Sequence, residues 1–182
     1  MIQHARVLAV ACVIACASSA ALAQDPGGPP KPGPEHQKLG YFVGKWKSEG
    51  EMKDNPMMPG GKFEMQDDCA WFDGKFAVVC NSQGKGPMGP MKGLGIMSYS
   101  AEDQAYTYYG LDNVGMVMST VPKGKVEGKT WTYSDESKMG GQTVKSRYVM
   151  EELSATQYTF KWQVQGPDGN WQTIAEGKAT KS

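Results

Sequence analysis

The residues with the most distinctive chemistry are methionines, of which the chain has twelve among 182 residues. Several are grouped: Met57-Met58 between prolines, Met88 and Met91 in GPMGPM, and Met116 and Met118 two apart. Thioethers are soft ligands that suit Cu(I), and such a pair with His36 would make a soft-metal site. Thioethers also line adaptable apolar pockets, and Met116 and Met118, on one face of a strand, fit that use better. The other reactive types are sparse. The two histidines are His4 and His36, and His36 reads as a solvated surface residue beside a Pro/Gly-rich stretch. A Ser/His/Asp arrangement would have to be built on it. Asp67-Asp68 and Glu151-Glu152 are paired carboxylates, but strand neighbours point to opposite faces and cannot flank one bond. They read as solvated strand ends. No phosphate loop, dinucleotide fingerprint or zinc spacing occurs. The expectation is a protein without catalytic machinery, metal or cofactor.

Cysteine usage points to the compartment. The segment Val7 to Ala17 is apolar and is followed by Ser18-Ser19 and Ala21-Leu22-Ala23, which reads as a secretory signal over residues 1–23. It is shorter than the roughly 20 apolar residues of a membrane span. Lipid attachment at Cys16 is disfavoured, because Val13-Ile14-Ala15 is a poor small-residue box. The protein is therefore expected to be exported, periplasmic or extracellular. Residues 24–34, QDPGGPPKPGP, read as a disordered or extended tether. Lysine plus arginine and aspartate plus glutamate each number 19, which gives no electrostatic case for nucleic acid or an anionic membrane surface.

Cys69 and Cys80 remain, in an oxidising compartment. Between them AWFDGKFAVV has strand residues on either side of Asp73-Gly74-Lys75. A two-residue turn on Gly74-Lys75 sets Cys69 opposite Cys80 in a hydrogen-bonded pair with alpha carbons about 5.5 Å apart. A disulfide that staples this hairpin is the expectation. A turn on Asp73-Gly74 would instead oppose Cys69 to Val78.

The elements that must position these residues are strands. Glu35 to Val43 reads as about two helical turns ending at Gly44. From Lys45 the period is two, with strands expected at Lys45–Lys53, Gly61–Phe72, Lys75–Ser82, Gly93–Ala101, Gln104–Leu111, Val114–Val121, Lys125–Asp135, Gln142–Glu152, Thr156–Gln165 and Trp171–Thr180. Short connections favour sequential antiparallel pairing, and a meander of this size hides its edges by closing. The fold expected over residues 35–182 is an all-β, antiparallel up-and-down barrel of about ten strands with a short N-terminal helix as plug. Tyr158, Phe160, Trp162 and Val164 face in, as do Val144, Ser146, Tyr148 and Met150. The faces of Tyr106 to Tyr109 stay open. An interior of aromatics, thioethers and hydroxyls suits a small apolar or amphipathic ligand, held by Met116, Met118, Tyr148, Phe160 and Trp162. The alternative is a packed barrel whose Met/Pro/Gly loops, Asn55 to Gly61 and Gly84 to Lys92, meet a protein partner.

The string Gln37-Lys38-Leu39-Gly40-Tyr41-Phe42-Val43-Gly44-Lys45-Trp46, with Gly50 soon after, resembles the entry into the first strand of calycins, the superfamily of lipocalins, fatty-acid-binding proteins and nitrobindins. Gly93-Leu94-Gly95-Ile96-Met97-Ser98-Tyr99-Ser100, with Tyr106 to Asp112-Asn113, resembles the bacterial exported family called domain of unknown function 1579. The resemblance runs from Glu35 to about Thr180 and implies a lipocalin-like barrel, with structural roles for Gly44 and for Trp46 across its closed end. It implies no established activity. The histidine that binds heme in nitrobindin-like barrels has no counterpart in Trp171 to Ser182, so heme held that way is not expected.

Overall fold

The structure is a computed structural model that describes residues 28–55, 58–115, 120–139 and 141–182. The chain divides into two units, Met1–Pro30 and Lys31–Ser182. Of the first, the described residues Gly28 to Pro30 are exposed. Everything below concerns the second.

A short helix α1, Pro34–Lys38, runs into a 3-10 turn at Leu39–Phe42. Proline at the first helical position presets the backbone angle without removing a needed donor. The expected two turns of α-helix are thus tightened halfway. A 3-10 turn eclipses residues three apart, so Leu39 and Phe42 both bury on one side. Gly44 (φ 124°) then redirects the chain into β1, in a region of backbone space that favours glycine.

Ten strands follow: β1 Gly44–Met52, β2 Gly61–Trp71, β3 Ala77–Gly86, β4 Gly89–Ser100, β5 Ala105–Asp112, β6 Lys123–Glu127, β7 Thr130–Met139, β8 Gln142–Ser154, β9 Gln157–Gln165 and β10 Trp171–Lys181. Each pairs antiparallel with its neighbours, and β1 meets β10 from Trp46↔Lys181 to Met52↔Ala175, closing the barrel. Closure removes the two free edges that an open sheet would have. In β1, Lys45, Lys47, Glu49 and Glu51 face solvent while Trp46, Ser48, Gly50 and Met52 face in, the alternation that a one-sided core dictates.

The β5–β6 seam is the thinnest, with Tyr106↔Gly124 and Thr107↔Lys123 as its register. Of the strand expected at Val114–Val121, Val114, Gly115, Thr120 and Val121 lie outside the ladder, and residues 116–119 lie outside the described residues. The single strand expected at Lys125–Asp135 is instead β6 and β7, joined at Gly128-Lys129 with Glu127 opposite Thr130. Gly128 (φ 60°) supplies the positive φ that a tight hairpin needs.

The stretch expected as a loop from Gly84 to Lys92 is mostly ladder, since Gly84↔Met91 and Gly86↔Gly89 continue the β3–β4 pairing. A side chain at Gly84 would put its Cβ 2.0 Å from the Glu64 carbonyl oxygen and 2.7 Å from the Met65 sulfur. Glycine is there for close packing between strands, leaving Pro87-Met88 as the turn.

At the helix end the barrel is solid. Leu39, Phe42, Trp46, Val78 and Trp131 are buried together, and Phe42 meets Trp131 edge-on at 5.0 Å. Among the described residues no helix is long and apolar enough to cross a membrane.

Candidate functional site

Halfway along the barrel the interior becomes polar. Asp67 is in phase with Phe63, Met65 and Cys69 on β2, so it faces in while Asp68 is exposed. Its carboxylate accepts a hydrogen bond from the Ser82 hydroxyl across the β2–β3 ladder. Burial pushes the Asp67 carboxyl above the usual range, and the Ser82 bond opposes that only in part. The expectation of a solvated Asp67 is therefore corrected: alternation places it on the apolar phase of its strand.

Several tyrosines share the interior with this carboxylate. Tyr106 and Tyr108 face in and Tyr109 faces out, which settles the faces of that segment. Tyr108 lies along the inner wall over Gly95 and Gly110, where an added Cβ would come within 3.0 Å of its ring or hydroxyl. Tyr133 meets Tyr108 at a ring separation of 6.3 Å and is opposite Tyr148 on β8. The Tyr108, Tyr148 and Tyr158 phenols are pushed up, chiefly by burial, with the Asp67 charge adding to each. Tyr108 nonetheless keeps 36% of its surface accessible, and Tyr148 is half-buried. Both hydroxyls make no hydrogen bond to described residues. Both rings therefore keep surface that the described residues do not cover. Tyr133 differs, being 4% exposed with a hydroxyl that has no hydrogen-bond partner among the described residues.

The aromatic residues expected to line a ligand site are adjacent. Tyr148 is opposite Trp162, and Met150 opposite Phe160, on β8 and β9. Tyr148 stacks on Phe160 at 5.7 Å with planes 17° apart. Met116 and Met118 lie outside the described residues. Asp67, Ser82, Tyr108 and Tyr133 were not anticipated as site residues, although the phase of Asp67 against Phe63 and Cys69 carried the signal.

Gly44 and Trp46 sit at the closed end. Trp46 donates its indole N–H to the Phe42 carbonyl at 2.8 Å and packs on Tyr158 at 5.0 Å. The Lys181 ammonium lies 4.8 Å above the Trp46 ring and donates to the Tyr41 carbonyl at 3.1 Å. The Tyr41 hydroxyl bonds the Ser154 and Gln157 carbonyls, and burial pushes its pKa up to about 12. Tyr106 donates to the Glu35 carboxylate at 2.6 Å, and that bond, with the stronger one from Lys38, holds Glu35 below the usual carboxylate range. His36 is half-buried, contrary to expectation: its Nδ1 accepts from the Gly33 N–H at 3.2 Å and its ring edges against Phe76 and Tyr99.

Cys69 and Cys80 form a disulfide with alpha carbons 4.0 Å apart. The expected partners are right and the expected pairing type is not. Lys75 N–H bonds the Phe72 carbonyl and Phe72 N–H bonds that of Ala77, so the loop spans four residues and Phe72/Ala77 is the hydrogen-bonded pair. Counting outward, Cys69/Cys80 falls at a non-hydrogen-bonded site, where strands approach more closely.

Among the described residues the grouped methionines are not gathered into a ligand set. Met88 is exposed at its turn while Met91 is buried inside, and His36 is at the opposite end of the barrel from Met91. Met58, expected in an open loop, is buried and bridges to Asn55. Two solvent-open hollows are present: one of about 280 Å³ over β1 to β3, whose lining includes Trp46, Asp67, Ser82 and Gln83, and one of about 350 Å³ beside Lys38, Tyr41 and Val126.

A closed ten-strand antiparallel barrel, plugged by a short helix and sealed by a tryptophan under a last-strand lysine, is a calycin-like barrel. The chain belongs to the family described as Protein of unknown function (DUF1579), whose sequence profile matches residues 31–181. Among solved structures it is similar to Rv2717c from M. tuberculosis, with a TM-score of 0.58 at 13% identity, covering 82% of this chain and 98% of that one. It is also similar to the S-type phycobiliprotein lyase CPES from Guillardia theta, with a TM-score of 0.58 at 10% identity, covering 81% and 92%. At these identities the likeness is one of fold. No curated protein matches the sequence.

Proposed function

We propose that the protein is exported through the signal segment 1–23, tethered by residues 24–34, and binds a small apolar or amphipathic molecule inside the barrel, as a carrier and not an enzyme. The observation that carries this reading is the Tyr133 hydroxyl. A buried hydroxyl without a partner costs on the order of 1–3 kcal/mol, and it persists here beside the accessible, unbonded hydroxyls of Tyr108 and Tyr148. A ligand polar group placed among them removes that cost, and Tyr148, Phe160 and Trp162 offer apolar surface next to it. The disulfide is in keeping with an oxidising compartment.

The partner-docking alternative has less to rest on, because one of its two loops is a two-residue turn and the other buries Met58. Copper through paired thioethers is weakened by the divergence of Met88 and Met91. Native mass spectrometry of protein purified from its own envelope, before and after denaturation, tests the reading. A bound organic mass that disappears on denaturation, and is lost in Trp162→Ala with the fold intact, is the expected result. A bare mass together with no uptake of apolar probes would overturn it.

A further inference from the structure

Inward charge is one-sided. Among the described residues the inward phases of the strands carry the carboxylates Asp67, Asp112, Asp135 and Glu152, against one cation, Lys181. Lys181 is committed at the closed end to the Trp46 ring and the Tyr41 carbonyl. Glu152 accepts from the Trp131 indole at 2.6 Å, Asp135 from the Thr120 hydroxyl, and Asp112 from the Val114 N–H at 2.9 Å. Asp67 has the Ser82 hydroxyl, a neutral donor, and takes part in none of the ion pairs among the described residues. A buried carboxylate is costly unless a positive charge or several donors meet it.

We propose that the occupant is a cationic amphiphile, an ammonium whose head lies against Asp67 among the Tyr108, Tyr133 and Tyr148 rings, and whose apolar part lies on Phe160 and Trp162. This rests on the ligand-binding reading above and narrows it. An ammonium has donors only, which suits a carboxylate and the unpartnered Tyr133 oxygen. Tyrosine faces attract a desolvated cation through their quadrupoles. A carboxylate ligand would set like charges together in a medium of low dielectric, and an alcohol would leave the Asp67 charge unmet.

Calorimetric titration of the full exported chain with octylamine, octanol and octanoate separates the possibilities. Octylamine is expected to bind about tenfold or more tightly than the other two. In Asp67→Asn that advantage falls to about twofold or less while octanol affinity is kept. Tyr133→Phe removes one oxygen from an otherwise unchanged ring, keeps the test open should Asp67→Asn fail to fold, and is expected to lower octylamine affinity several-fold. Equal binding of all three probes, tighter octanoate, or an amine preference that survives both substitutions overturns the cationic ligand and leaves the carrier reading standing. Failure of every probe to bind overturns both.

Discussion

The Phe160 ring reaches over Gly177, its partner across the β9–β10 ladder. A Cβ at Gly177 would fall 2.6 Å from Phe160 Cζ and 2.4 Å from the Glu49 carbonyl oxygen. The ring can therefore lie against backbone and present its other side to Tyr148. Gly177→Ala must move both the ring and β1, and overpacking of this kind costs roughly 1–3 kcal/mol. The expected outcome in urea unfolding is a lower midpoint, with a loss of the Tyr148–Phe160 near-ultraviolet dichroism signal. An unchanged midpoint would mean that the wall yields freely at this position.

The plug depends on Trp46. Its indole N–H satisfies the Phe42 carbonyl at 2.8 Å, and its face receives Lys181. Trp46→Phe keeps an aromatic ring but leaves that carbonyl without its donor, at a cost of about 1–3 kcal/mol. Limited proteolysis should then cut within Pro34 to Phe42 before it cuts any strand. Protection equal to wild type would show that the remaining anchors, Tyr106 on Glu35 and Tyr41 on the Ser154 and Gln157 carbonyls, hold the plug without that bond.

The disulfide closes a short loop across a hairpin that is already paired. Chain-entropy arguments give roughly 3 kcal/mol for a loop of this length. Reduction, or Cys69→Ala with Cys80→Ala, should lower the unfolding free energy by about that amount, less whatever order the reduced hairpin retains in the unfolded chain. Equilibrium unfolding with and without reductant measures it.

The barrel was legible because Lys45 to Met52 and Tyr158 to Val164 alternate cleanly, and alternation is what a wall with one buried face requires. It misled at Val114, Gly115, Thr120 and Val121, which lie outside the ladder although the expected strand included them. Alternation reports a face and says nothing about a hydrogen-bond partner. The β6–β7 turn was missed although Val126 and Trp131 are an odd number of residues apart, a phase slip that a continuous strand cannot contain. That Tyr148, Phe160 and Trp162 share the inward face followed from phase alone. Asp67 did not, because its neighbour Asp68 made the pair look like solvated charge, and a two-residue acidic cluster hides which member turns inward. Tyr133 could not be foreseen as unpartnered, since hydrogen-bond satisfaction is decided by residues far apart in the chain.

Asp67 should also be visible in the pH dependence of stability. Its folded-state pKa is raised above the ordinary value of 3.8, mainly by burial. The folded protein thus holds that proton more tightly than the unfolded chain does, and stability from this group is full below the unfolded pKa and lost as pH rises through the folded one. Glu35, whose carboxyl is held low by Lys38 and Tyr106, acts in the opposite sense, but equally in both proteins when wild type is compared with Asp67→Asn. Urea unfolding from pH 3 to 7 should therefore show Asp67→Asn gaining on wild type as pH rises, with the difference levelling once Asp67 is ionised. A difference that stays flat would mean that water inside the barrel solvates the carboxylate as well as bulk water does. Saturating octylamine should reverse the slope, because a bound ammonium depresses the Asp67 pKa and makes its ionisation favour the folded state. Burial of one carboxylate would then both weaken the empty barrel and select its ligand.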